Sequence, residues 1–154
     1  MSHRRKSREV TLQILYALDA MEGSVEETFS KFWENFDPQE DARQFAMLLT
    51  HGSWSKKEEI DATISQHSEH WSLSRMARVD RNILRMAVYE LLYCPDIPPK
   101  VTLNEAIDLA KLYGSENSGS FINGILDALY AYMRKMEMEK TKAPLGDMIC
   151  EADI

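Results

Sequence analysis

Asp80-Arg81-Asn82-Ile83-Leu84-Arg85-Met86-Ala87-Val88-Tyr89-Glu90-Leu91-Leu92-Tyr93 is the stretch on which the architecture turns. Its apolar residues Ile83, Leu84, Ala87, Val88, Leu91 and Leu92 are spread around much of a helical circumference instead of forming one stripe. A helix of that kind has to be surrounded by others, so the stretch predicts the central member of a helical bundle. Asp80 is placed to cap its start. Beyond it, Pro95, Pro98 and Pro99 enforce an extended connection.

The segments on either side supply helices to surround it. Toward the N-terminus, Val10, Ile14, Leu18 and Met21 recur at three- and four-residue spacing, and Gly23 ends the pattern. Ser24 with Glu27 reads as a capping box for a second helix carrying Val25, Phe29, Phe32 or Trp33, and Phe36. Asp37 and Pro38 launch a third, with Phe45, Leu48, Leu49, Gly52, Ile60 and Ile64, running to about His67 as one bent helix or two shorter ones broken near Ser53-Trp54-Ser55. Ser72 or Ser74 can cap a short turn. Toward the C-terminus, Thr102 with Glu105 reads as a second capping box, Leu103, Ile107 and Ala110 as an inner face, and Gly114 as a left-handed C-cap. A last helix is expected from near Ser118, carrying Phe121, Ile122, Ile125, Leu126, Leu129, Tyr132, Met133 and Met136. The sequence therefore predicts an all-α single domain over residues 1–137 and a polar tail over 138–154.

Composition agrees with that class. Of 154 residues only 11 are Gly or Pro, and 15 Leu, 13 Ala and 15 Glu outweigh 5 Val and 6 Thr, so helix formers dominate strand formers. No run approaches the roughly 18 apolar residues of a membrane span, and the basic start lacks the uninterrupted apolar run and small-x-small site of a signal peptide. Cys94 and Cys150 stand far apart, which fits reduced thiols in a cytoplasm.

The net charge of −7 conceals an uneven distribution. Arg4, Arg5, Lys6 and Arg8 precede the first acid, Glu9; without them 14 basic residues face 25 acids, a remainder of −11. A small cationic arm on an acidic body is suited to phosphates, because clustered cations displace condensed counterions. At a helix N-terminus the same charges oppose the helix dipole, which favours an anionic ligand. Tyr16 lies two turns beyond Arg8 and is placed either to stack a base or to pack at the core edge. A second basic set, Arg75, Arg78, Arg81 and Arg85, reads more readily as pairing with acids inside the chain. The loop Gly114-Ser115-Glu116-Asn117-Ser118-Gly119-Ser120 before Phe121 offers free backbone N–H groups, although a plain turn explains most of it.

Catalytic patterns are missing from the sequence: it has no Gly-rich phosphate loop, nucleophile elbow, HExxH or CxxC. His67 and His70, with Glu69 nearby, are the one weak metal-like spacing. No enzyme activity and no cofactor are expected.

Four pieces in order resemble the NusB family of bacterial transcription antitermination factors. They are Arg4-Arg5-Lys6-Ser7-Arg8-Glu9 with Gln13-Ile14-Leu15-Tyr16; Asp80 to Leu91; Ile97-Pro98-Pro99-Lys100-Val101 with Asn104-Glu105-Ala106-Ile107; and Phe121-Ile122-Asn123-Gly124-Ile125-Leu126-Asp127. The resemblance spans about His3 to Arg134. It implies about seven helices in two packed subdomains, an arginine-rich motif at Arg4, Arg5, Lys6 and Arg8 that binds boxA-type single-stranded RNA, and heterodimerisation with NusE, a small-subunit ribosomal protein. It further implies a place in the RNA polymerase antitermination complex on ribosomal RNA operons, and it leaves a homodimer open. Tyr16, Asp80 and Phe121 match positions associated with the RNA surface, together with the loop residues Asn117 and Ser118. Asn117 stands where many members have Asp, which separates this chain from any role of a carboxylate there. A related helical domain fronts some ribosomal RNA cytosine methyltransferases; the length of this chain points to a free-standing factor. The competing reading is a protein-binding helical adaptor whose arginines meet an acidic partner.

Overall fold

A computed structural model describes residues 2–21, 23–34, 40–69 and 72–141. Among them are seven α-helices, α1 (Ser2–Ala20), α2 (Val25–Trp33), α3 (Glu40–Ser55), α4 (Lys57–His67), α5 (Arg78–Tyr93), α6 (Pro99–Tyr113) and α7 (Ser118–Thr141). A short 3₁₀ turn, Leu73–Arg75, precedes α5. No described residue is in a strand.

α5 is the centre, packed against α1, α3, α4, α6 and α7. Its burial is nearly continuous from Asn82 to Leu91 and includes polar groups as well as apolar ones. Two apolar clusters result. The smaller joins Val10, Ile14 and Leu18 of α1 to Phe29, Trp33, Ala42 and Ala46. The larger gathers α3 to α7 around Leu84, Val88, Ile122 and Leu126. α1 belongs to both, since Leu12 and Leu15 face the larger cluster. Seven helices with no strand among the described residues match the all-α fold expected, and the two clusters sharing α1 fit the two packed subdomains that the resemblance implies.

Several local expectations require correction. Asp80 does not cap the central helix, which begins at Arg78 after Ala77; the carboxylate sits in the first turn and is buried. Thr102 and Glu105 form no capping box, because α6 starts at Pro99, with proline in the first-turn position it favours. Their side chains are used elsewhere, as described below. Gly114 is extended (φ −93°), and the glycine is needed for space: a Cβ there would collide with the Ser118 side chain and the Ala110 carbonyl oxygen. Of the two alternatives for the third segment, the two shorter helices are found, broken at Lys56. Met21, Leu48, Tyr132 and Met136, counted in the apolar patterns of their helices, are exposed. α7 continues to Thr141, past the expected boundary at 137.

Other expectations hold. Ser24 caps α2, its Oγ accepting from the Glu27 N–H at 3.1 Å. Ser72 precedes the short turn but makes no side-chain cap bond. Phe36, the Asp37–Pro38 start, His70 and the tail from 142 onward, including Cys150, lie outside the described residues.

Candidate nucleic-acid interface

The cationic arm is the first two turns of α1, so its side chains leave a helix in fixed directions. Arg4, Arg5 and Lys6 are exposed. Arg4 lies over the Phe45 ring, 4.5 Å from its centroid. Arg5 reaches α6, donating to Glu105 (3.0 Å) and Asp108 (2.8 Å) while its side chain stays half exposed. The Glu105 hydrogen bond and charge, with Asp108 adding, outweigh slight desolvation and hold the Arg5 pKa above its ordinary value.

Arg8 differs from its neighbours: it is 2% exposed. Its Nε and Nη2 donate to the two oxygens of Glu90 at 2.9 and 2.8 Å, and Nη1 lies 3.5 Å from Glu105. Thr102 donates to Glu90 at 3.0 Å, which accounts for its burial. This forked, charge-assisted pair joins α1 to α5 in the interior. The sequence grouped Arg8 with the surface cations; the fold buries it with a carboxylate.

At the other end of α1, Asp19 is the hub of a second network. Its Oδ2 accepts from Arg81 (2.6 Å) and Asn82 (2.9 Å) and lies 3.2 Å from Arg85 and 4.0 Å from Arg78. Arg85 also forks onto Asp61 of α4 at 2.8 and 3.0 Å. Burial opposes the Asp19 charge, yet the hydrogen bonds from Arg81 and Asn82 and the charges of Arg85 and Arg81 hold its carboxyl below the usual range. The pairing anticipated for the second basic set is thus present for Arg81 and Arg85, and at 4.0 Å for Arg78.

Tyr16, 41% exposed, lies between these networks on α1. It lines a groove of about 280 Å³ with Leu12, Gln13, Ala17, Phe32, Val79 and Tyr113. Arg78 is placed over its ring, 5.7 Å from the centroid. Just beyond Tyr113, a cleft of about 490 Å³ is bounded by Ile107, Lys111, Gly114, Ser115, Glu116, Gly119, Ser120 and Asn123. Tyr113, at the end of α6, thus lines the Tyr16 groove, and residues on both sides of it in sequence line the second cleft.

The remaining sequence-selected residues divide by burial. Asn117 is exposed, and its carbonyl oxygen accepts from the Phe121 N–H and the Ser120 hydroxyl. Ser118 is 1% exposed and accepts from the Ser115 N–H, so it closes the turn from within. Phe121 is partly buried against the larger core. Asp80 is 7% exposed, with one carboxylate oxygen buried and lacking a hydrogen-bond partner. The sequence did not single out Tyr113, Glu90, Glu105 or Asp108 for the site. Glu105 and Asp108 are three apart on α6, where such residues are neighbours, and that spacing is the local signal that could have paired them. Among the described residues no group of three His, Cys, Asp or Glu side chains is placed to hold a metal.

Comparison with known proteins places these features in a family. The NusB family model matches residues 5–131. The transcription antitermination protein NusB of Syntrophus aciditrophicus is 54% identical over 144 residues, covering 94% of this chain and 89% of that protein. A solved T. maritima NusB superposes with a TM-score of 0.76 at 41% identity, over 82% of this chain and 89% of that one. A second solved structure, of antitermination factors NusB and NusE in complex with dsRNA, gives 0.78 at 32% identity, over 86% and 98%. A helical bundle whose arginine-bearing first helix is bonded into a central α5, matched over nearly its full described length, belongs to the NusB family of transcription antitermination proteins.

Proposed function

We propose that this chain binds boxA-type single-stranded RNA together with the NusE ribosomal protein and acts in an RNA polymerase antitermination complex on ribosomal RNA operons. It does so in the cytoplasm, as a binding factor that performs no chemistry and requires no cofactor. The observation that carries this reading is the fixed presentation of Arg4, Arg5 and Lys6 at one end of α1, with exposed Tyr16 further along the same helix. Cations position a phosphate backbone, and an exposed ring takes a base. Asp80, Asn117, Ser118 and Phe121 join this RNA-contacting surface as the family resemblance implies, and Arg8 anchors the arm to α5.

Glu105 and Asp108 already neutralise Arg5, and the body beyond the arm carries −11. The arm alone therefore gives modest affinity, and a basic partner supplies the missing phosphate contacts. The test is a titration of boxA-type, scrambled and double-stranded RNA against the protein, with and without NusE, at several salt concentrations. We expect binding to steepen in salt dependence and tighten with NusE, and boxA-type single strands to be preferred. Salt-sensitive binding of an acidic protein through the arm, with no RNA affinity in either arm of the titration, would establish the adaptor reading instead.

A further inference from the structure

Arg5 is met by more negative charge than one guanidinium can balance. Its Nε donates to Glu105 at 3.0 Å and its Nη2 to Asp108 at 2.8 Å, so two carboxylates of α6 share it. Glu105 also stands 3.5 Å from Nη1 of Arg8, whose Nε and Nη2 are taken by Glu90. Along this chain of contacts two guanidinium groups meet three carboxylates, which leaves one negative charge in surplus. The surplus falls on Asp108. The Glu90 side chain is 2% exposed and that of Glu105 17%, against 44% for Asp108. Among the described residues, Arg5 is the one hydrogen-bond donor to the Asp108 carboxylate.

An ion pair between two half-exposed side chains contributes little to stability, so folding is a poor reason for Asp108 to be there. Its effect on an incoming anion is another matter. A guanidinium receives carboxylate and phosphate oxygens with the same geometry, so the carboxylate on Nη2 stands where a phosphate oxygen would bind. Glu105 differs, because it is less exposed and is shared with Arg8; it fixes Arg5 to α6 through Nε, on a different nitrogen from the one Asp108 covers.

Resting on the RNA reading, we propose that Asp108 is an affinity-setting carboxylate: it holds the place of a backbone phosphate on Arg5, and RNA binds there by displacing it while Glu105 keeps the Arg5 Nε. Every strand gives up the same contact, since a phosphate position carries no sequence information. A strand that offers the arm phosphates alone is thereby held to weak binding. One that also places bases on the surface overcomes the competition.

The experiment measures the affinity of the full chain for a boxA-type single strand and a scrambled one, across a salt series, in wild type, Asp108→Asn, Arg5→Gln and the double variant. Asp108→Asn should tighten both strands about threefold to fivefold, the equivalent of one exposed ion pair, leave the ratio between them unchanged and hardly move the melting temperature. Asp108→Glu, which restores a carboxylate, should return affinity toward wild type. Arg5→Gln should weaken both strands and lower the slope of log affinity against log salt by about 0.7. In that background Asp108→Asn should give no comparable gain, because its effect passes through Arg5. Equal tightening in both backgrounds would show that Asp108 acts through net charge alone, and overturns the proposal. If Arg5→Gln weakens binding while Asp108→Asn fails to tighten it, the competition is wrong and the RNA reading stands; if wild type binds neither strand, both fall.

Discussion

Arg5 and Arg8 carry the same charge three residues apart, and the fold uses them differently. Arg8 is sealed against Glu90 with both side chains at most 3% exposed. Removing one member of such a pair strands the other in a poorly solvating interior, so Arg8→Ala should cost about 3–5 kcal/mol in chemical denaturation. Its effect on RNA should follow from loss of the folded arm; measured on the fraction still folded, the salt slope should stay as in wild type. Tyr16 makes the opposite case. Because it is half exposed at a groove, Tyr16→Ala should shift the melting temperature little while costing about 1–3 kcal/mol in RNA affinity without altering the salt slope. Tyr16→Phe, which keeps the ring, should bind like wild type. A large melting shift with intact affinity would return Tyr16 to a packing role.

Two contacts between elements carry predictions of their own. α1 is tied to α5 by Asp19, whose folded pKa is lowered, so its contribution is fully present above the ordinary value of 3.8 and is lost as pH falls through the lower folded value. The stability gap between wild type and Asp19→Asn should therefore be constant near neutrality and close progressively below about pH 4. A gap that persists in acid would assign the stabilisation to shape and not to charge. α3 crosses α5 at Gly52, where an added Cβ would collide with the hydroxyl end of the Tyr89 ring. Gly52→Ala should destabilise by about 1–3 kcal/mol, since neither helix can move away from a packed core without losing other contacts. Elements of this kind also show what the sequence made legible. Periodicity located the helices and the central place of α5, because apolar spacing is a local property. It misplaced the caps at Asp80 and Thr102, whose side chains have partners or burial set by other helices. It also took Arg8 for a surface cation, since nothing local distinguishes it from Arg5. The groove at Tyr16 was half visible: one ring lies in the arm's own helix, while Tyr113 reaches it from nearly a hundred residues away.

At the scale of the whole molecule, the −11 remainder opposes a polyanion away from the arm, so on the proposed reading RNA should engage the α1 side and a basic partner should strengthen it. A further consequence follows from the arm being the opening turns of α1, with Arg5 and Arg8 already bonded to α6 and α5. Many arginine-rich segments acquire their helix only on meeting RNA, and the surface buried in that ordering gives a large negative heat-capacity change. Here the peptide backbone of the arm has no such transition left to make. Calorimetric titrations at a series of temperatures should show an enthalpy that varies only weakly with temperature, and circular dichroism should register no gain of helix when RNA is added. Association should then behave as the docking of two shaped surfaces, with a rate set by ionic strength and not by the folding of the arm.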